Sequence, residues 1–417
     1  MTGGGLTRRG ALLLAAGGLL QLSAPGAAPA RGAGLDAAVA VPLAAPSQAD
    51  RRSAETLLAR YADAVLRRDA AALAATAVPA FRPGQAELLR RTAEVPLAAY
   101  HPRLTRLERS ATGLTAEVQL DHRIAGYDHH PVTATRRFTF SDRDGQWLLA
   151  AEDPVGSALL WDLGTVRAVR GAHSLVLGLA APADLAALSA AADSAVPAVS
   201  AVWGSSWADR LLLYAPGSLE QLSRLLDAAP GDYRGIAAVT TAASGAPKAA
   251  PADRILVNPE AYGELSDLGR QVVTSHEAVH VATRADTRPW TPLWLSEGVA
   301  DWTAYLGTRR TTRQIAPELA ADIAAGRLPA ALPRDSDFAT TADGLAQAYE
   351  LAWFACTLVA RRHGTRGLVA LYRAVAATGS AEADREATVD RAMRRVLGTG
   401  LAAFTRDWRS ALRQELG

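Results

Sequence analysis

The chain has 417 residues, 49% of them apolar and 21% charged, with a formal net charge of +2. That is length and apolar content enough for two or three domains with real cores. It excludes a disordered acidic chain and leaves no basic excess to grip nucleic acid. The single cysteine, Cys356, excludes an internal disulfide and a cysteine-rich metal cluster, so any bound metal must use histidine and carboxylate ligands.

Residues 1–30 have the order of an export signal. Arg8 and Arg9 form a positive start, Ala11 to Leu22 is an uncharged apolar run, and Ala28-Pro29-Ala30 offers small residues for cleavage. The run is about a dozen residues, short of the roughly 20 that cross a bilayer as a helix. Thr7-Arg8-Arg9-Gly10-Ala11-Leu12-Leu13 resembles a twin-arginine signal. Ala11 stands where such signals carry a bulky residue, so general secretion stays open as the route. An exported protein, extracellular or in the cell envelope, with no stable membrane span is expected. Residues 31–50, rich in Ala, Pro and Gly, read as a linker.

Residues 51–155 read as a small α+β domain. Leu57, Leu58, Tyr61, Val65 and Leu66 recur at helical spacing between Ser53 and Arg68, and Asp69 can cap a short helix through Leu73. From Pro96 to Glu152 the period becomes two. Leu114, Ala116, Val118 and Leu120 alternate with polar residues, Phe138 and Phe140 repeat the pattern, and Asp144-Gly145 turns the chain into Trp147. This element order resembles the nuclear transport factor two-like fold, which by itself implies no function.

Residues 156–417 form the second expected domain. Ser174 to Gly178, Arg210 to Tyr214, Gly235 to Thr240 and Arg254 to Asn258 are expected strands. Helices are expected near Asp184 to Ser194 and Leu219 to Leu226, and beyond Glu260 the pattern is almost wholly helical. The overall expectation is α+β: a sheet lobe, then a helical C-terminal lobe.

The chemistry concentrates in Ser275-His276-Glu277-Ala278-Val279-His280. Four residues apart on a helix, His276 and His280 share a face and can reach one Zn²⁺, while Glu277 can take a proton from a water held at that ion. A second helix begins at Pro292-Leu293-Trp294, and its Glu297, seventeen residues after His280, can supply a third ligand. Asp301, one turn further, can hydrogen-bond the far nitrogen of a ligating histidine. Three protein ligands leave one position open, as catalytic zinc sites do.

His276-Glu277-Xaa-Xaa-His280 together with Trp294-Leu295-Ser296-Glu297-Gly298-Xaa-Xaa-Asp301 resembles the gluzincin metallopeptidases, the thermolysin and aminopeptidase group. The resemblance spans roughly residues 170–412, with its motifs in 272–302. It implies a gluzincin-like domain holding zinc on His276, His280 and Glu297, with Glu277 as general base and acid and a peptide or protein as substrate. It also implies an oxyanion donor from a later helix. Tyr349 is the candidate, with Tyr305 and His363 as rivals. The family binds substrate backbone on an edge strand ahead of the zinc helix, and Arg254 to Asn258 is the expected counterpart. The aminopeptidase motif Gly-Xaa-Met-Glu-Asn is missing there, which favours an endopeptidase. Two other readings stay open: a binding or scaffold protein that keeps a zinc site, and a zinc hydrolase of a non-peptide amide or ester.

Other polar clusters read as structural. His122 continues the apolar face of its strand, and Asp128-His129-His130 lies in a turn. Cys356 reads as a small buried hydrophobe, and the pairs Arg136-Arg137, Arg361-Arg362 and Arg394-Arg395 as solvated. Trp290, Trp294 and Trp302 read as core residues that could also line a cleft.

Overall fold

The computed structural model describes residues 44–241, 251–380 and 384–417; the expected signal and most of the expected linker lie outside these. The described chain is α+β, with a four-stranded and a five-stranded sheet.

The first unit begins with helix α1 (Gln48–Arg67), earlier than the apolar spacing indicates and inside the expected linker. Its start is set by polar residues. The Ser47 hydroxyl accepts from the Asp50 amide at 3.1 Å, and Asp50 accepts from the Ser47 amide at 2.8 Å. Arg109 and the Trp147 indole also hold Asp50, at 2.6 and 3.1 Å, which ties the helix start to the sheet. The expected Asp69 cap is present on α2 (Ala70–Ala74). Helix α3 (Arg82–Arg91) was not expected. Pro83-Gly84 reads as a break, and only Gln85 on this helix is fully buried, so the apolar stripe is weak.

Strands β1 (Leu97–Ser110), β2 (Gly113–Ile124), β3 (Val132–Arg143) and β4 (Gln146–Val155) form an antiparallel meander in that order. In β2 every second residue from Leu114 to Ile124 is buried, His122 included, as the alternation predicts. Asp144 and Gly145 both have positive φ, 54° and 81°, as the turn between β3 and β4 requires.

The connection to the second unit plugs into the first. Helix α4 (Leu160–Leu163) carries Trp161, 2% exposed, edge-on against the His122 ring at 5.2 Å. Asp162 takes two hydrogen bonds from Arg136, at 2.7 and 3.0 Å, and Arg136 donates a third to Glu152 at 3.0 Å. The expectation that Arg136 is solvated is therefore wrong. It is 5% exposed, and its partners are too distant in sequence for the pattern to reveal them. Arg361 and Arg362 lie on the surface as expected, in exposed ion pairs with Glu415 and Asp407.

Burial pushes the His122 pKa down to about 4, with the Arg254 charge adding to the shift. An unfolded chain protonates this histidine near its ordinary value of about 6.5, while the folded chain resists until about 4. The folded state therefore loses stability as pH falls through that window. His122→Leu is expected to remove an acid-side loss of about 3 kcal/mol between pH 6.5 and 4. Urea unfolding of both proteins across that range checks this, and equal slopes against pH would contradict it.

The second sheet has the order β5-β6-β7-β9-β8. Strands β6 (Ser174–Gly178), β7 (Leu211–Ala215) and β9 (Arg254–Val257) run parallel, with β5 (Arg167–Arg170) and β8 (Ala238–Thr241) antiparallel at the two ends. Strands β6 and β7 are buried along their whole length and, after Ser174, read as apolar runs without alternation, as strands covered on both faces do. Strand β5 was not expected, because Arg167-Ala-Val-Arg170 is only half-buried at the sheet's end. Helix α5 (Pro182–Trp203) runs nine residues past its expected end, through Pro197. By length and composition it could cross a membrane; here it packs against α8 and β6.

After α6 (Leu219–Leu226) and α7 (Pro259–Gly263) come the helices that matter for chemistry. These are α8 (Asp267–Thr283), α9 (Leu293–Tyr305) and α12 (Leu345–Thr378), with the short α10 (Thr312–Ile315) and α11 (Pro317–Ala324) between the last two. Helix α12 breaks at Gly364 and continues as a second segment. Helices α13 (Arg385–Leu397) and α14 (Leu401–Leu416) complete the chain.

Candidate metal centre

Helix α8 starts at Ser266, whose hydroxyl accepts from the Gly269 amide at 3.2 Å. From Val272 to His280 every residue of α8 is buried, because α5, α9 and β8 all pack on it. His276 and His280 thus face inward together, with ring centroids 4.8 Å apart. Helix α9 begins where Asp335 accepts from the Leu293 amide at 2.9 Å. It lies against α12 at Gly298. A side chain there would put its Cβ 2.5 Å from the Ala352 carbonyl oxygen and 2.7 Å from the Cys356 sulfur, so only glycine permits the approach. Cys356 is fully buried at that contact, the small packing residue the sequence suggests.

This packing brings His276, His280 and Glu297 together. The Nε2 atoms of His276 and His280 are 3.0 Å apart, and Glu297 Oε2 lies 3.2 and 3.4 Å from them. A tetrahedral ion with bonds of roughly 2.0–2.1 Å has ligand–ligand edges of about 3.3 Å, close to this triangle. Both Glu297 Oε2 and Glu277 Oε1 are buried without a hydrogen-bond donor. Glu297 Oε2, a buried carboxylate oxygen facing two imidazole nitrogens, needs a cation or a proton between it and them. His276, His280 and Glu297 therefore form a buried group that can hold a metal ion. It is the one such group among the described residues, and Asp128-His129-His130 is not another.

Asp301 lies 2.8 Å from His276 Nδ1, as the spacing predicts, and orients the ring with Nε2 toward the centre. Burial disfavours a charged His276 ring, but Asp301 and Glu297 outweigh it and hold its pKa well above the ordinary value. Burial raises the Glu297 pKa in turn, but the two histidines outweigh it and bring it down to about 2. The carboxylate therefore stays ionised. Asp301→Ala is expected to weaken metal binding by about 10- to 100-fold while leaving all three ligands in place. Competition with a chromophoric chelator measures this; an unchanged affinity would remove Asp301 from the site.

Tyr349 is 2% exposed, its ring centroid 6.3 Å from that of His276. Burial, followed by the charges of Glu297, Asp301 and Glu277, pushes its pKa well up. Its rivals lie elsewhere. His363 is exposed beside the Gly364 break, and half-buried Tyr305 meets Trp353 edge-on, with ring centroids 6.4 Å apart. Trp302, Tyr305, Arg309, Trp353 and Thr357 line a cavity of about 350 Å³, and His276, Glu277, His280, Glu297, Asp301 and Tyr349 are not among its lining. Trp302 thus lines a cleft, though not the metal site, while Trp294 is buried.

One expectation is corrected. Arg254–Val257 is not an edge strand; it lies between β7 and β8. The chain pairs β8 first and then enters the sheet interior beside β7, so the terminal strand is β8. Arg254 is itself buried, against Asp128 of the first unit at 2.6 Å. That turn aspartate also accepts from the Ile124 and Ala252 amides, and so joins the two units.

A residue that sequence reasoning missed is Thr240 of β8, whose hydroxyl donates to Glu277 Oε2 at 2.6 Å. Nothing in a lone threonine 37 positions upstream signals that contact. No family model and no curated protein matches the chain.

Proposed function

We propose that the chain is an exported zinc-dependent peptidase with Glu277 as its general base. The observation that carries this is the buried, unpartnered Glu277 Oε1 on the helix that bears His276 and His280, with Glu277 itself outside the three-donor set. A purely structural site is usually closed by four protein ligands and needs no extra base.

Bound zinc would polarise a carbonyl and lower the pKa of water. The protein's own groups would do the rest. Glu277 Oε1 takes a proton from the attacking water and passes it to the leaving amine. The Tyr349 phenol, kept protonated by its raised pKa, donates to the oxyanion. Strand β8, at the end of its sheet, offers backbone groups to an extended peptide, in the place first expected of Arg254–Asn258. The Arg8-Arg9 and Ala11–Leu22 pattern supports export.

The test is product analysis by mass spectrometry after the zinc-loaded chain meets a peptide library mixed with simple esters and amides. Cleavage at internal peptide bonds is expected. Ester or non-peptide amide turnover alone would replace the peptidase reading with a different hydrolase. Stoichiometric zinc with no turnover would replace it with a binding protein.

A further inference from the structure

We propose that Thr240 is a positioning residue that fixes which oxygen of Glu277 acts as the base; this rests on the peptidase reading above. The terminal torsion of a glutamate is broad, so a carboxylate on a helix has two nearly equivalent oxygens unless something distinguishes them. Here something does. Thr240 Oγ1 donates to Oε2 at 2.6 Å, while Oε1 is buried and has no partner. Both side chains are shut away from solvent, Thr240 at 2% exposure and Glu277 at 0%, so water does not compete for the hydrogen bond.

The anchor is rigid. Thr240 is β-branched and sits in a strand paired to β9 through Ile255, which restricts its χ1. Helix α8 packs directly on β8, so helix and strand hold the two ends of the bond. The hydroxyl therefore occupies Oε2 and leaves Oε1 as the one oxygen free to accept a proton. Thr240 touches none of the three metal donors, so its effect is on the orientation of Glu277 and not on metal retention.

The experiment compares the full chain with Thr240→Val, which keeps the shape and removes the hydroxyl, and Thr240→Ser, which restores it. On the best peptide cleaved by the wild type, Thr240→Val is expected to lower kcat on the order of ten- to a hundredfold. KM and zinc content should stay at wild-type values. Thr240→Ser is expected to recover kcat to within about threefold. A second readout needs no turnover. In protein labelled at glutamate Cδ, the resonance lost in Glu277→Gln should shift in Thr240→Val and return in Thr240→Ser. A resonance unmoved in Thr240→Val overturns the proposal whether or not the chain cleaves peptides. So does a wild-type kcat in Thr240→Val, or a serine variant as impaired as the valine one. A wild type that binds zinc and cleaves nothing, with the resonance shifting as described, would instead overturn the peptidase reading and leave the anchor standing.

Discussion

Glu277→Gln is expected to keep its fold and its zinc and to lose roughly 10²–10⁴-fold in peptide hydrolysis. Glutamine has the size of glutamate, and its amide oxygen can still accept from the Thr240 hydroxyl, so the helix should repack around it unchanged. The ligand triangle of His276, His280 and Glu297 is untouched, because Glu277 is outside it. What disappears is an oxygen that can accept a proton: an amide NH₂ turned toward the reacting water can only donate. Steady-state cleavage of one peptide, with metal content measured on the same samples, decides the matter. A variant that binds zinc as the wild type does and cleaves as fast would deny Glu277 its role.

The largest stability effect is expected in the first unit. Arg136→Ala should destabilise the protein by roughly 3–5 kcal/mol, because it leaves two buried carboxylates without their cation. Glu152 and Asp162 have exposures of 8% and 12% in their pairs with Arg136, so water cannot replace the guanidinium. The loss reaches beyond the sheet. Asp162 belongs to the short helix that seats Trp161 against His122, so freeing it loosens the plug between the two units. Arg136→Lys should recover only part of the loss, since one ammonium cannot span both carboxylates in the geometry of a guanidinium fork. Urea midpoints of the three proteins test this. A change within about 0.5 kcal/mol for the alanine variant, typical of a solvated side chain, would contradict it.

That arginine also marks the limit of reading the chain by pattern. Periodicity reports on a residue's own strand or helix. It located β2 through its alternation, the turn at Asp144-Gly145, and the helix carrying His276 and His280. The candidate metal site was legible because the spacing of its residues is its chemistry: four apart for the histidines, four apart for Glu297 and Asp301. What depended on partners from distant segments was not legible. Arg136 looks solvated until Asp162 folds back on it. Helix α1 begins at a capping pair that has no apolar signature. Arg254–Val257 looks like the last strand before the helix, but sheet order, which periodicity does not encode, places it inside. Thr240 becomes part of the site only because the end strand passes beside α8.

Hydrolysis is expected to require the metal that His276, His280 and Glu297 can hold. The decisive measurement titrates zinc into chelator-treated protein while following peptide cleavage. Activity is expected to be absent at the start, to rise with added zinc and to saturate at one equivalent per chain, while His280→Ala stays inactive throughout. Cleavage that persists without zinc, or a site that fills with zinc and never cleaves a peptide, would contradict it.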